Sequence, residues 1–342
     1  MWCPMRHRLP GALLGLFALL ALFAILAAAS PVKAEDCAPS TVGFRVMHLA
    51  DRVVAVWYPT AARPAPYPYT GSFSGLVAID AAPSRACGLR VPLVVFSHGN
   101  TGCGIQSIAF TEELARHGYV VAAPDHADAM VCHTARPIVP VPRSRQPDFD
   151  KLDTWNETSF GDRRADVEAT IDTLLAHGDF HDVIDAENIG AAGHSLGGYT
   201  VVGLAGGWAG WLDRRIRAVL GLSPYVMPFQ VQETLGNVRV PLMYQGGTLD
   251  LGITPFLARA NGAYRKANPP AFFLVLRDAD HFAWVNCGNA RTTASCLATR
   301  ETFRLIDDYS IAFFDSYLKH RRAPLLTRKR PELAEFMFKL PP

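Results

Sequence analysis

Short unbroken apolar runs alternate along the chain with longer stretches whose apolar positions recur at helical spacing. Pro92-Leu-Val-Val-Phe-Ser97 and Tyr119-Val-Val-Ala-Ala123 are continuous runs, the pattern of strands buried on both faces. Asn188–Ala192, Ile216–Leu222, Val240–Gln245 and Phe272–Leu276 are read as strands in the same series, and Arg52–Tyr58 as a strand near a sheet edge. Between them the spacing predicts helices over Ser107–His117, with Gly118 at C′, and over Asp162–His177, stopped by Gly178. Further helices are predicted over Leu196–Ala209, rich in Gly and Ala, and Arg300–His320. Another is expected to open at Thr254-Pro255, with Thr as N-cap and Pro at N1. Strands alternating with helices imply right-handed crossovers, hence an α/β fold with a mostly parallel central sheet and helices on both faces.

Two segments break this rhythm. Pro59–Tyr69 carries Pro59, Pro64, Pro66 and Pro68 and is expected to be a surface loop. Residues 126–160 carry Pro137, Pro140, Pro142 and Pro147, and a connection this long is usually a lid, a binding loop or disorder; it is read as an insertion, not a domain boundary. The reading is therefore one domain, 35–342, with a Pro-rich insertion at about 126–160. Residues 1–34 stand apart from it. Arg6, His7 and Arg8 precede an uncharged run from Gly11 to Ala29, and Val32-Lys33-Ala34 fits a small-x-small cleavage site. That is the layout of a secretory signal peptide, which places the mature chain outside the cytoplasm, periplasmic or secreted. An uncleaved membrane anchor is the alternative, since the apolar run is long enough to span.

Charge and cysteines follow from that reading. Of the 33 Lys and Arg, three (Arg6, Arg8 and Lys33) fall within residues 1–34, leaving 30 against 31 acids. A balance so near zero gives no reason to expect nucleic acid as a partner. The basic cluster Lys319, Arg321, Arg322, Arg328, Lys329 and Arg330 is read as solvated surface. Cys3 leaves with the signal segment, and Cys37, Cys87, Cys103, Cys132, Cys287 and Cys296 remain, an even number that suits disulfides in an exported chain. Sequence does not choose among the pairings. Cys287 with Cys296 is the leading candidate, because Gly, Asn, Thr and Ser between them suit a loop. His126, Cys132 and His133 have no matching second cluster, so no metal site is expected.

The chemistry concentrates at Gly193-His194-Ser195-Leu196-Gly197, a G-x-S-x-G sequence between a buried strand and a helix. The pattern alone is weak; the strand–turn–helix setting is what a nucleophile elbow requires. A serine hydroxyl needs a base and a group to orient that base. His281 lies in the loop after the strand Phe272–Leu276 and is the expected base. His194 is expected to point away from the site, and His320 to be solvated on the last helix. Asp250, in the loop after the strand at Val240, is the expected acid; Asp280 and Asp278 are the competitors. Backbone N–H groups of Leu196 and Asn100 are expected to bind the developing oxyanion. Tyr225, Trp155, Phe160 and Trp284 either line a pocket or pack in the core.

Ser97-His98-Gly99, the Ser195 segment, Gly247-Thr-Leu-Asp250 and Asp280-His281-Phe282 together resemble the α/β-hydrolase superfamily. Within it they are most similar to the branch holding platelet-activating-factor acetylhydrolases, dienelactone-hydrolase-like proteins and bacterial cutinases and polyester hydrolases. The resemblance runs over roughly residues 44–320 by order of elements. It implies a carboxylic ester hydrolase without metal or organic cofactor, acting on small-molecule, lipid or polyester esters. It also implies a second oxyanion donor just after His-Gly, which matches Asn100, and a disulfide near the histidine, which fits Cys287 and Cys296. Two departures stand out: dienelactone hydrolases proper use a cysteine where this chain has Ser195, and the 126–160 insertion has no counterpart. A peptidase or amidase on the same scaffold is the main alternative, because the triad does not distinguish ester from amide. A non-catalytic binding protein is the third reading.

Overall fold

Among the described residues eleven strands form one sheet, in the order β11-β10-β9-β8-β7-β5-β6-β2-β1-β4-β3. A computed structural model describes residues 1–2, 40–49, 52–70, 73–86, 88–130, 143–286 and 300–342. By its contacts the chain divides into Met1–Ala38 and Pro39–Pro342, and the second unit carries every element below. The expected signal segment therefore lies almost wholly outside the described residues, as does the Cys287–Cys296 pair. Among the described residues no helix is long and apolar enough to cross a membrane.

The expected strands are the centre of this sheet. β5 (Val91–Ser97), β6 (Val120–Pro124), β7 (Ile184–His194), β8 (Ile216–Leu222), β9 (Leu242–Gly247) and β10 (Ala271–Leu276) run parallel to one another. Their side chains alternate between two cores although nearly all are apolar. Leu93 and Val95 of β5 face one core, and Val94 and Phe96 face the other. Helix α1 (Ile108–Arg116) covers the second core, and α2 (Gly161–Ala176) covers the first. Gly118 takes the left-handed φ of +79° expected beyond the end of α1.

The outer strands differ from expectation. β2 (Arg52–Thr60) is buried along its whole length, because β1 (Thr41–Leu49), β4 (Phe73–Ile79) and β3 (Ala65–Thr70) lie outside it. The proline-rich stretch expected as a loop thus contains β3, the last strand of the sheet, where a proline without an N–H costs no ladder bond. At the other edge β11 (Leu333–Lys339) pairs antiparallel with β10. The basic cluster is not simply solvated: Lys319 Nζ lies 2.8 Å from Asp315 and 3.8 Å from the Tyr119 ring centroid. Burial lowers its pKa to about 8.

Order along the sheet locates the site. β6 pairs with one side of β5 and β7 with the other, so the chain reverses its direction of travel across the sheet at β5. In open α/β sheets ligands bind beyond the carboxyl ends of strands at such a switch point. Ser97 and Gly193, at the ends of β5 and β7, are paired there.

Candidate active site

β7 delivers the chain to Ser195, and α3 (Leu196–Val202) carries it away. To turn so sharply, Ser195 takes φ +54° and ψ −117°, a region that non-glycine residues rarely occupy. Packing holds it there. Ser195 N–H donates to Leu222 O at 3.1 Å, and Ser195 O accepts from Gly198 and Tyr225 at 2.9 and 2.8 Å. Gly197 is required because a Cβ would run into the carbonyl oxygen of Ser97. The helix expected to reach Ala209 ends early, as Gly206 at φ +111° interrupts the turn that follows.

Three of the expected site residues meet at this turn. Ser195 Oγ lies 2.9 Å from His281 Nε2, and His281 Nδ1 lies 3.2 Å from Asp250 Oδ1. Asp250 is buried, so its charge is focused on the imidazole. Asp280 instead accepts from Phe282 N–H at 2.9 Å within its own turn, and Asp278 is exposed. Thr254 is not the N-cap of its helix (α4, Thr254–Ala258). Ile253 holds that place, and Thr254 Oγ1 accepts from Gly247 N–H at 2.9 Å.

Ser223 was not singled out from the sequence. It follows β8 at φ +43°, fully buried, with its Oγ hydrogen-bonded to Asp250 Oδ2 and 2.8 Å from His281 Nδ1. The available signal was its place: a serine directly after a buried strand on the same sheet edge as Ser195, Asp250 and His281. His194 also departs from expectation. Its ring centroid is 5.0 Å from that of His281, and its Nε2 lies 2.8 Å from His281 O. Gln106 fixes the tautomer. Its Oε1 accepts from Gly99 N–H at 3.1 Å, so its Nε2 donates to His194 Nδ1 at 3.2 Å, and His194 Nε2–H is left to donate to His281 O. Burial, and then the neighbouring His281, lower the His194 pKa to about 3, so the ring is a neutral strut.

The two expected oxyanion donors are free. Neither Leu196 N–H nor Asn100 N–H makes a hydrogen bond among the described residues. Gly99 brings the Asn100 loop against the elbow: a Cβ on it would stand 3.5 Å from Ser195 Cβ.

A ferulic acid esterase from Streptomyces cinnamoneus is similar to this chain over 90% of its length and 98% of its own, with 21% identity and a TM-score of 0.63. The chain has the α/β-hydrolase fold. Residues 76–140 match the family described as platelet-activating factor acetylhydrolase, isoform II, a stretch that includes Ser97-His98-Gly99-Asn100 but not Ser195, Asp250 or His281. No curated protein matches the chain. The expected fold is thereby borne out, and the match over residues 76–140 agrees with the expected acetylhydrolase-containing branch and supports the expected class, carboxylic ester hydrolase.

Beside Ser195 the chain carries an aromatic wall. Tyr225, whose N–H binds Ser195 O, packs on Phe149 and Trp155 with ring centroids 5.0 and 5.2 Å away. Trp155, Phe160 and Trp284 are core residues, each at most 2% exposed, whereas Phe149 is 39% exposed. Leu249 and Leu251 flank Asp250 and Phe282 follows His281, all three exposed. His126, once weighed as a metal ligand, bonds through both ring nitrogens to Ser97 and Asp166; Cys132 and His133 lie outside the described residues. Cys103, the only cysteine among the described residues, is disulfide-bonded.

Proposed function

We propose that this chain is an exported serine hydrolase that cleaves carboxylic esters through an acyl-enzyme on Ser195. The observation that carries the proposal is the line from Ser195 Oγ to His281 Nε2 at 2.9 Å and from His281 Nδ1 to Asp250 at 3.2 Å, on a strained strand-to-helix turn. His281 takes the hydroxyl proton as Ser195 Oγ attacks the acyl carbon, and Asp250 stabilises the imidazolium. Leu196 and Asn100 N–H groups bind the oxygen that becomes negative. The tetrahedral adduct collapses, and the alcohol leaves with the proton that His281 returns. Water, deprotonated by His281, then attacks the acyl group, releasing acid and restoring Ser195.

The ester preference is supported by the acetylhydrolase match and by an esterase among structural neighbours. The exposed Leu249, Leu251 and Phe282 suit an apolar ester, of lipid or polyester character, over a charged one. The mature protein is a single domain, 35–342, and N-terminal sequencing of the exported protein should begin at Glu35. Ser195→Ala is expected to lower kcat on p-nitrophenyl butyrate by at least about 10⁴-fold with the fold retained. Fluorophosphonate should label the wild type at Ser195 only. Turnover undiminished in the variant would end the proposal.

A further inference from the structure

Behind the Asn100 loop sits a buried cation that the reaction itself does not use. Arg163, in the first turn of α2, is fully buried. Its Nη1 donates to His98 O at 2.7 Å and its Nη2 to Gly99 O at 3.0 Å. Its Nε and Nη2 also fork onto Asp128 Oδ1 and Oδ2 at 3.0 and 2.6 Å. Asp128 in turn accepts from Thr101 N–H at 3.2 Å. Burying such a pair recovers little stability, since desolvation roughly offsets the attraction. What the pair does is fix two consecutive peptide planes.

We propose that Arg163, braced by Asp128, is a positioning residue that aims Asn100 N–H at the reacting carbonyl oxygen. In a trans peptide the C=O and N–H point in opposite directions. With His98 O on Arg163, the N–H of that peptide, Gly99's, points away from Arg163, and Gln106 Oε1 takes it at 3.1 Å. With Gly99 O on Arg163, the N–H of the next peptide, Asn100's, also points away from Arg163. Gly99 lies against Ser195. Thr101 N–H is held by Asp128. Of the three consecutive N–H groups, Asn100's alone stays unbonded among the described residues. A lysine has one compact head, and it cannot hold two carbonyls and a carboxylate in fixed planes as the guanidinium fork does.

The inference rests on the esterase reading, and its test separates the two. Arg163→Lys and Asp128→Asn are compared with wild type on p-nitrophenyl acetate and on the matching thionoester, whose C=S sulfur is a poor hydrogen-bond acceptor. In Arg163→Lys, kcat on the oxoester should fall roughly 10–100-fold with KM nearly unchanged, and the thionoester rate should fall less than about threefold. Asp128→Asn keeps the shape and an acceptor for Thr101, and its fold is checked by circular dichroism before assay; its oxoester rate should fall about 3–10-fold, again with the thionoester spared. Equal losses on both esters, or no loss in either folded variant, would overturn the placement of Arg163. A wild type inert to both esters would instead refute the esterase reading, and this inference with it.

Discussion

Lowering the pH from 7.5 to 5.5 presses protons on two buried imidazoles that the fold keeps neutral. Burial, then Arg163, holds the His98 pKa well below 6.5, and burial, then His281, takes that of His194 down to about 3. Both groups have depressed folded values. Their stabilising contribution is present above the unfolded value near 6.5 and is lost as pH falls toward the folded value. At pH 5.5 each unfolded imidazole has gained about 1.4 kcal/mol of protonation free energy that the folded protein cannot match. A third buried histidine, His126, does not add to this. Its pKa is also lowered, but its partner Asp166, 2.9 Å away, is raised by burial to about 7. The folded protein then takes up a proton on Asp166 over the range in which the unfolded chain takes one on His126, and the two cancel to first order. The two imidazoles together are expected to cost about 3 kcal/mol between pH 7.5 and 5.5, while Asp307, whose carboxyl burial raises well above its ordinary range, takes up a proton in the folded protein and offsets part of that loss. Urea unfolding at pH 7.5, 6.5 and 5.5 measures it. His194→Gln should remove the roughly 1.4 kcal/mol that its imidazole adds to the loss. A pH dependence that is the same in wild type and His194→Gln to within about 0.5 kcal/mol would refute the reasoning.

Ser223→Ala removes a hydrogen bond to the Asp250 carboxylate, and kcat should fall about tenfold with KM unchanged in steady-state assays. Gly197→Ala drives a Cβ into the backbone of Ser97, so thermal melts should show a loss above about 3 kcal/mol or no folded protein. Phe149→Ala opens the half-exposed end of the aromatic wall beside Ser195. Profiles of kcat/KM against acyl length should shift toward longer chains by about 3–10-fold, while acetate turnover stays near wild type.

What was legible in the sequence was whatever leaves a local mark. Gly193 and Gly197 are demanded by close backbone approach at the elbow, so Ser195 could be read from its neighbours. The order Ser195, Asp250, His281 follows from which strand ends share an edge. The central strands were legible because burial on both faces leaves them apolar throughout. β2 was misplaced because its neighbours β1, β4 and β3 were not recognised; β3 carries Pro66 and Pro68, which read as loop. Ser223 and His194 act through contacts to residues 27 and 87 positions away, and no spacing rule encodes such pairs.

The insertion at 126–160 shows why its role escaped the sequence. Read alone, it is a proline-rich interruption with no chemistry of its own. In space its near end supplies Asp128, and Arg163 stands just beyond its far end, so the ion pair across 35 residues closes the excursion. Closure entropy grows only slowly with loop length, so the length of the segment adds little to the cost of bringing its ends together. The same clasp grips His98 and Gly99, while Tyr225 OH reaches back to Phe149 O in the insertion's later half. The described parts of the segment, 126–130 and 143–160, are therefore tied to the floor of the site and to its wall respectively. Changes within it are expected to alter which ester fits, through Phe149, whereas changes at its clasp alter how well any ester reacts.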